Sequence, residues 1–231
     1  MPLAAVARSI YEVPMIKRTV ERIKDPVSCL THLFGAVAAV GCLVALLSVA
    51  APYGPRYTLS FAVFGASLIL LYSASAVYHM LRLSEERTRL LRRIDHTMIF
   101  YLIAGTYTPV CLIPLHGPWG WSILGTVWGL ALAGTFMKIF WLKAPRGIST
   151  AIYIIMGWIV LVAFYPLIKA VSATAFAMLL AGGLCYTAGA VIYAIKRPRL
   201  NIPGCGFHEI FHVFVLAGSA FHVAFMFQIL P

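Results

Sequence analysis

Long apolar stretches, each separated from the next by a short polar segment, occupy most of this chain. A helix that crosses a bilayer needs about 20 mostly apolar residues. The pattern predicts seven such helices, at residues 30–51, 57–81, 95–115, 119–141, 148–168, 171–195 and 207–230. The seventh is the least uniform, because it contains His208, Glu209, His212 and His222. Polar groups inside a span are costly and usually functional.

The composition agrees with this pattern. Of the 231 residues, 61% are hydrophobic and only 11% are charged, whereas an ordinary soluble domain carries roughly a quarter charged residues. We therefore expect an all-α integral membrane protein that forms one seven-helix domain over residues 1–231, with residues 1–28 as a cytoplasmic N-terminal segment. The five cysteines lie mostly in apolar runs without a CxxC pair, which favours buried thiols over disulfides.

The basic residues predict the direction of the spans. Sixteen of the 18 lysines and arginines lie before span one or in alternate connections after it, and only Arg56 and Lys169 lie on the other side. Positive charges accumulate in cytoplasmic loops. The N-terminus is therefore predicted to be cytoplasmic and the C-terminus outside. The net charge of +11 thus indicates membrane topology, and we expect no nucleic-acid partner.

Span four carries a row of small residues. Gly125, Gly129 and Ala133 recur every four positions, so they share one face of a helix. Small residues allow two helices to approach closely. We expect this face to contact a neighbouring span.

Three histidines are predicted to lie at one membrane depth. His208 and His212 are four residues apart at the start of span seven, so both project from one helix face. His79 ends span two, which the predicted topology places at the same cytoplasmic side. Three imidazole nitrogens with one open position form a common zinc site. Zinc is therefore the predicted cofactor, and His79, His208 and His212 are the predicted ligands.

Asp95 and Ser75 are predicted to lie beside these histidines. Asp95 begins span three at the same side, and Ser75 is one turn from His79 on one helix face. Asp95 is either a fourth ligand of a structural metal or the group that accepts a proton from metal-bound water. The Ser75 hydroxyl either supports that chemistry or bonds to its own helix carbonyl. Glu209 is either a general base, by analogy with His-Glu-x-x-His proteases, or an acid bonded to a partner, which we favour.

The remaining histidines fit the site less well. His222 lies about 15 Å beyond His212 along a helix, His116 falls in an outer loop, and His96 points away from Asp95. Only His32, at the cytoplasmic start of span one, is a credible fourth candidate.

These residues resemble the three motifs of the hemolysin III proteins, the bacterial branch of the progestin and adiponectin receptor family. The motifs are Ser75-Ala76-Val77-Tyr78-His79, Asp95, and His208-Glu209-Ile210-Phe211-His212. The segments Thr31-His32-Leu33-Phe34-Gly35 and Gly105-Thr106-Tyr107-Thr108-Pro109 are also similar to that family. One departure is Ser28, near a place where many bacterial members have asparagine after an acidic run.

The resemblance implies seven helices, a cytoplasmic N-terminus and a zinc ion near the cytoplasmic face of a bacterial inner membrane. The family is related to alkaline ceramidases, which use a similar arrangement to hydrolyse a lipid amide. By this resemblance His79, His208 and His212 bind zinc, Asp95 orients the water and Ser75 supports it.

The resulting hypothesis is a zinc-dependent membrane hydrolase of a lipid amide or ester, with a role in membrane lipid homeostasis. Membrane lipids are the expected partners, and the substrate and oligomeric state stay open. The alternative is a receptor or membrane-state sensor with a structural zinc. A pore-forming hemolysin fits poorly, because seven continuous spans provide neither a signal sequence nor a soluble form.

Overall fold

The protein is a bundle of α-helices, as seen in a computed structural model that describes residues 22–141, 145–198 and 205–231. The helices are α1 (Pro26–Ala50), α2 (Pro55–Met80), α3 (Glu85–Leu112), α4 (Pro118–Phe140), α5 (Arg146–Trp158), α6 (Phe164–Ala170), α7 (Ala173–Ile195) and α8 (Phe207–Gln228). Short 3-10 segments cover Ala51–Tyr53 and Ile159–Ala163.

Helices α2 and α4 both begin after a glycine that is followed by proline. Gly54 and Gly117 have φ values of 89° and 119°, a region open to glycine at little steric cost. Proline follows each of them as the first helical residue, where its missing N–H costs no hydrogen bond. This dipeptide ends the preceding connection and sets the direction of α2 and of α4.

Six described segments are long and apolar enough to cross a membrane: Pro26–Tyr53, Pro55–Met80, Pro118–Phe140, Gly147–Ala170, Ala173–Ile195 and Phe207–Gln228. Helix α3, with 28 residues, is not among them. It begins with charged residues and later carries Asp95, His96 and several threonines and tyrosines. Many of its residues from Asp95 to Cys111 are buried against other helices, so this helix needs less apolar surface than one that faces lipid.

Two predicted boundaries differ from the observed ones. Helix α3 begins at Glu85 instead of residue 95, because Glu85 and Glu86 occupy its first turn, where acidic residues stabilise the helix dipole. The fifth predicted span is interrupted at Ile159–Ala163. There the Tyr107 hydroxyl accepts a hydrogen bond from the Val160 N–H and donates one to the Gly157 carbonyl, both at 2.9 Å. A side chain inserted into the backbone ladder breaks regular α-helix geometry.

The predicted contact face of α4 is wrong. Gly125, Gly129 and Ala133 are all exposed, and a methyl group added at either glycine would meet no atom within 4 Å. The packed face carries Gly134 instead, which lies directly against the Phe100 ring of α3. Four-residue spacing identified a real face of the helix, but the bulk of Phe100 decided which face is buried.

Sequential helices are neighbours in the bundle. Helices α1, α2, α3 and α4 pack in chain order, α7 packs on α8, and α8 returns to contact α1. At one end of the bundle α1, α3 and α8 begin and α2 ends. We call this the histidine end, because the cluster described next lies there.

Candidate metal centre

Three histidines from two helices converge at the histidine end. His79 lies in the last turn of α2, and His208 and His212 lie in the first two turns of α8. One ring nitrogen from each lies within 4.8 Å of the others. His79 and His212 are buried, with 3% and 1% of their surface exposed. The structure thus brings together the three histidines that the sequence predicts as ligands.

The spacing of this cluster fits a tetrahedral metal ion. Nε2 of His208 lies 3.2 Å from Nε2 of His79. Two nitrogens that bind one tetrahedral zinc ion at the usual bond length lie about 3.3 Å apart. Three neutral imidazoles suit zinc and other late transition metals and do not suit magnesium or calcium. The cluster is therefore able to hold a metal ion, and the donor set by itself does not specify which one.

Asp25 fixes the orientation of His79. Its Oδ2 accepts a hydrogen bond from Nδ1 of His79 at 2.9 Å, which leaves Nε2 directed at the other two histidines. Carboxylates commonly hold metal-binding histidines in this way. Partial burial acts to raise the pKa of the Asp25 carboxyl, but the hydrogen bond from His79 and the charge of Lys24 outweigh burial and lower the pKa. Asp25 is thus ionised and able to orient the imidazole at neutral pH.

The chain around Asp25 is itself anchored to α2. The Asp25 N–H donates to the His79 carbonyl at 2.9 Å, and the Lys24 N–H donates to the Met80 carbonyl at 3.2 Å. The Lys24 ammonium donates to the Tyr78 carbonyl at 2.9 Å and lies 3.5 Å from the centre of the Tyr78 ring. The entry to α1 is therefore fixed against the end of the helix that supplies His79.

His32 packs directly on the cluster without joining it. Its ring stacks on His212 with 3.6 Å between centroids and 11° between planes. It is 3% exposed, and neither ring nitrogen has a hydrogen-bond partner among the described residues. It lies outside the three-histidine group. The predicted fourth candidate thus contacts a ligand candidate through its ring face.

Glu209 connects two helices at this site. Its Oε1 accepts a hydrogen bond from the Ser28 hydroxyl of α1 at 2.7 Å, and its Oε2 accepts one from the Gly206 N–H at 2.8 Å. Both carboxylate oxygens are therefore engaged, one in capping α8 and one in joining α8 to α1. This arrangement supports the second reading of Glu209, an acid bonded to partners.

Ser75 and Asp95 face a cavity beside the histidines. The cavity has a volume of about 320 Å³, and His208 and His212 also line it. Ser75 and Asp95 are 1% and 8% exposed, and their side chains interact with each other. Asp95 does not belong to the group of close ligand atoms. The geometry therefore places this carboxyl next to the histidine cluster, on its cavity side.

The other histidines lie apart from the cluster. His116 is exposed after α3. His96 lies 4.0 Å from Asp95 through Nε2 and close to Tyr193. His222 is buried further along α8, where its Nδ1 donates to the Gly218 carbonyl at 2.7 Å and its ring stacks on Tyr186. The last two also line the cavity.

Asp25 is the residue of this site that the sequence analysis missed. A signal for it was present, because Asp25 is an acidic residue shortly before the predicted first span, on the side where that topology also places His79. Its pairing with His79 depends on how the chain before α1 lies against α2, which no spacing reveals.

Comparison with known proteins places the chain in a family. The family described as "Haemolysin-III related" matches residues 20–223. The chain is 37% identical over 217 residues to the protein named Hemolysin-3 of Bacillus cereus, covering 93% of this chain and 96% of that protein. It is 39% identical over 201 residues to the Hemolysin-3 homolog of Bacillus subtilis, covering 86% and 91%.

A more distant likeness extends to a eukaryotic receptor. The chain is 26% identical over 212 residues to the Adiponectin receptor protein of Drosophila melanogaster, covering 83% of this chain and 47% of that protein. The apolar helices, the motif residues and the match over most of the length agree with one another. This chain is therefore a multi-pass membrane protein that belongs to the haemolysin-III-related family.

Proposed function

We propose that this protein is a zinc-dependent membrane hydrolase that cleaves an amide or ester bond of a lipid. The observation that carries the proposal is the convergence of His79, His208 and His212 beside a cavity that Asp95 and Ser75 also line. Metal ligands and a proton-accepting carboxylate around one cavity are the groups that such a hydrolysis needs.

Each group of the site has a distinct part in this proposal. His79, His208 and His212 would hold the zinc ion, which would supply Lewis-acid chemistry toward a carbonyl oxygen and a water molecule. Asp95 accepts the proton of the attacking water at a carboxylate oxygen and returns it to the leaving nitrogen or oxygen. The Ser75 hydroxyl interacts with Asp95 and holds that carboxylate in place. Asp25 keeps the Nε2 of His79 directed at the cluster.

The proposal includes the membrane arrangement. We place α3 across the bilayer as a seventh span, with α5, the 3-10 segment and α6 together forming the fifth. The N-terminus is then cytoplasmic, the C-terminus outside, and the histidine end lies near the cytoplasmic face of the cell membrane. The distribution of lysine and arginine and the burial of α3 among the other helices support this arrangement.

Metal analysis of the purified protein and three variants tests the site. We expect zinc in the wild type, loss of zinc in His79→Ala and His212→Ala, and retention of zinc in Asp95→Ala. The zinc-loaded wild type should release fatty acid from at least one acylated lipid in a panel of ceramides, phospholipids and other acyl lipids, whereas Asp95→Ala should not.

The possible results separate the proposal from its alternatives. Loss of zinc in all three variants would make Asp95 a ligand and favour a structural metal. Zinc binding without turnover of any lipid in the panel would contradict the hydrolase. Wild-type protein without metal would contradict the zinc site itself.

A second candidate function is a receptor or membrane-state sensor with a structural zinc. The similarity to the Adiponectin receptor protein of Drosophila melanogaster favours it. In that case His79→Ala lowers the stability of the fold, and Asp95→Ala changes no reaction rate, because there is none to change. Unfolding measurements on both variants beside the lipid panel distinguish the two functions.

A further inference from the structure

The cavity beside the histidines has a strongly basic mouth. Arg89 and Arg92 line it and are exposed, so the cavity opens to the surface where they lie. The half-buried side chains of Arg93 and Lys138 also line it. Four cationic groups, three from the start of α3 and one from the end of α4, therefore surround one opening.

Three of the four cations at this mouth form no ion pair among the described residues, although Asp95 lines the same cavity. Arg89 pairs with Glu85 at 2.8 Å. The other described ion pairs involve Lys24, His79 and His96 as the basic partner, not Arg92, Arg93 or Lys138. Arg92 lies close enough to Lys138 for the two positive charges to repel each other. Like charges held together without an acid between them are stabilised by a bound anion.

A hydroxyl group completes the set of donors. The Lys138 ammonium donates to Oγ of Ser149 at 2.6 Å. Ser149 is 4% exposed and lines the same cavity. Because its oxygen accepts from Lys138, its own O–H points away from that ammonium and is able to donate to another acceptor. Guanidinium, ammonium and hydroxyl groups together are typical ligands of a phosphate.

Beyond these cations, part of the cavity lining is aliphatic and lies beside the polar groups of Asp95, Ser75 and the histidine cluster. The aliphatic side chains include Leu71 of α2, Ile99, Leu102 and Ile103 of α3, and Ile154 of α5. A cavity with a cationic mouth and an aliphatic wall behind it is complementary to an amphiphile with an anionic head and a hydrocarbon chain. A free inorganic anion would leave the apolar part of the cavity without a function.

We propose that Arg92, Lys138 and Ser149 bind the phosphate of a lipid head group, while the acyl chain of that lipid occupies the apolar cavity. Arg89, which already pairs with Glu85, is peripheral. A phosphate suits this mouth better than a carboxylate does, because two or more uncompensated cations match a group that carries up to two negative charges.

The position of this phosphate site restricts the substrate. Arg92 precedes Asp95 by three residues on α3, which is about 4.5 Å along the helix axis. A lipid whose phosphate contacts Arg92 reaches Asp95 with atoms only a few bonds away. The substrate class is then an acyl lipid whose amide or ester carbonyl lies close to its phosphate, rather than a neutral lipid. This statement about the substrate rests on the proposed hydrolase, whereas the phosphate site does not.

Calorimetric titration of the purified protein in neutral detergent tests the site. The probes are didecanoyl phosphatidic acid, didecanoylglycerol as its analogue without phosphate, and inorganic phosphate. Arg92→Gln and Lys138→Gln remove single charges from the mouth. Arg87→Gln is the matched control, because Arg87 is exposed on the same helix and does not line the cavity.

We expect both mouth variants to weaken binding of phosphatidic acid at least about tenfold, the effect of losing a charge-assisted hydrogen bond. Arg87→Gln should change it less than about twofold, as a screened surface charge would. The wild type and the three variants should bind didecanoylglycerol with the same affinity. Inorganic phosphate should bind far more weakly than phosphatidic acid. Thermal unfolding of each variant identifies any loss of affinity that arises from misfolding.

Three results would overturn the phosphate site. These are equal affinity for phosphatidic acid and didecanoylglycerol, an Arg87→Gln effect as large as that of Arg92→Gln, or inorganic phosphate that binds as tightly as the lipid. The same titration on chelator-treated Asp95→Asn protein removes any dependence on turnover. Suppose that this Asp95→Asn protein binds phosphatidic acid tightly while the wild type hydrolyses no lipid. That result would support the phosphate site and contradict the proposed hydrolase.

Discussion

At the scale of single residues, the site depends on side chains that do not touch the proposed metal position. Asp25 holds His79 through Nδ1, His32 covers the ring of His212, and Ser28 holds Glu209. All three side chains come from the start of α1 or from the residue before it. The beginning of α1 therefore supports a cluster whose members belong to α2 and α8.

The first prediction concerns Asp25. Asp25→Asn should lower the affinity for zinc about 10- to 100-fold, because the amide no longer provides a charged acceptor for His79. Competition with a coloured chelator measures this affinity. Glu86→Gln is the control, since Glu86 is an exposed acid at the start of α3. Unchanged zinc affinity in Asp25→Asn would show that the carboxylate does not orient the ligand.

The second prediction concerns His32. His32→Phe keeps a flat ring on His212 and removes two buried nitrogens that have no hydrogen-bond partner among the described residues, so the free energy of unfolding should stay equal or increase. His32→Ala should lower it by about 2 kcal/mol or more, because a cavity remains. Zinc content should be unchanged in both variants. A loss of zinc in both variants, with the fold intact, would instead identify His32 as a ligand.

At the scale of helices, close packing depends on where one large ring falls. Gly134 of α4 lies against Phe100 of α3, while Gly125 and Gly129 face outward. The contact between α3 and α4 matters for the proposed phosphate site, because these helices carry Arg92 and Lys138, which both line the cavity mouth. A shift between the two helices would separate the cations of that mouth.

The third prediction compares these glycines. Gly134→Ala should lower the free energy of unfolding by about 1–3 kcal/mol, because its methyl group overlaps Phe100 in a packed contact. Gly129→Ala should raise it by up to about 1 kcal/mol, because alanine favours the helix and meets no neighbour. Unfolding in mixed detergent micelles measures both. Equal effects of the two substitutions would contradict the observed face.

At the scale of the whole molecule, the proposed metal joins distant parts of the chain. His79 and His208 are separated by 129 residues in sequence, and they lie on α2 and α8, the second and the last of the described helices. A metal ion bound to both resists separation of α2 from α8. Ser28 and Glu209 add a hydrogen bond between α1 and α8 in the same layer.

The fourth prediction concerns metal removal. Chelation should lower the thermal midpoint of the wild type, because a ligand that binds only the folded state stabilises it. Zinc should restore the midpoint. His79→Ala should show a low midpoint that neither chelator nor zinc changes. A wild-type midpoint insensitive to chelator and zinc would contradict a metal that joins these helices.

The fifth prediction concerns topology. A reporter that is active only outside the cytoplasm should be active when fused after Pro231 and inactive when fused after Lys196. A cytoplasmic reporter should give the opposite result at both positions. The physical reason is that Lys196 lies in a basic connection, and such connections stay in the cytoplasm. The same compartment at both positions would mean that α8 does not cross the membrane.

The sequence alone determined the properties that depend on local pattern. Apolar length predicted membrane helices, charge distribution predicted their direction, and the four-residue spacing of His208 and His212 placed both on one face. His79 followed from its depth at the end of the second apolar segment. Such predictions are possible because helix geometry and bilayer thickness relate position in sequence to position in space, and the direction of the spans stays a prediction.

Tertiary structure decided everything that depends on contacts between distant segments. The pairing of Asp25 with His79, the stacking of His32 on His212 and the engagement of Glu209 by Ser28 each require two helices to meet at a particular rotation. The outward face of Gly129 and the basic mouth at Arg92 and Lys138 also follow from packing. Spacing within one helix cannot reveal such contacts, because the rotation of each helix is set by the side chains of its neighbours.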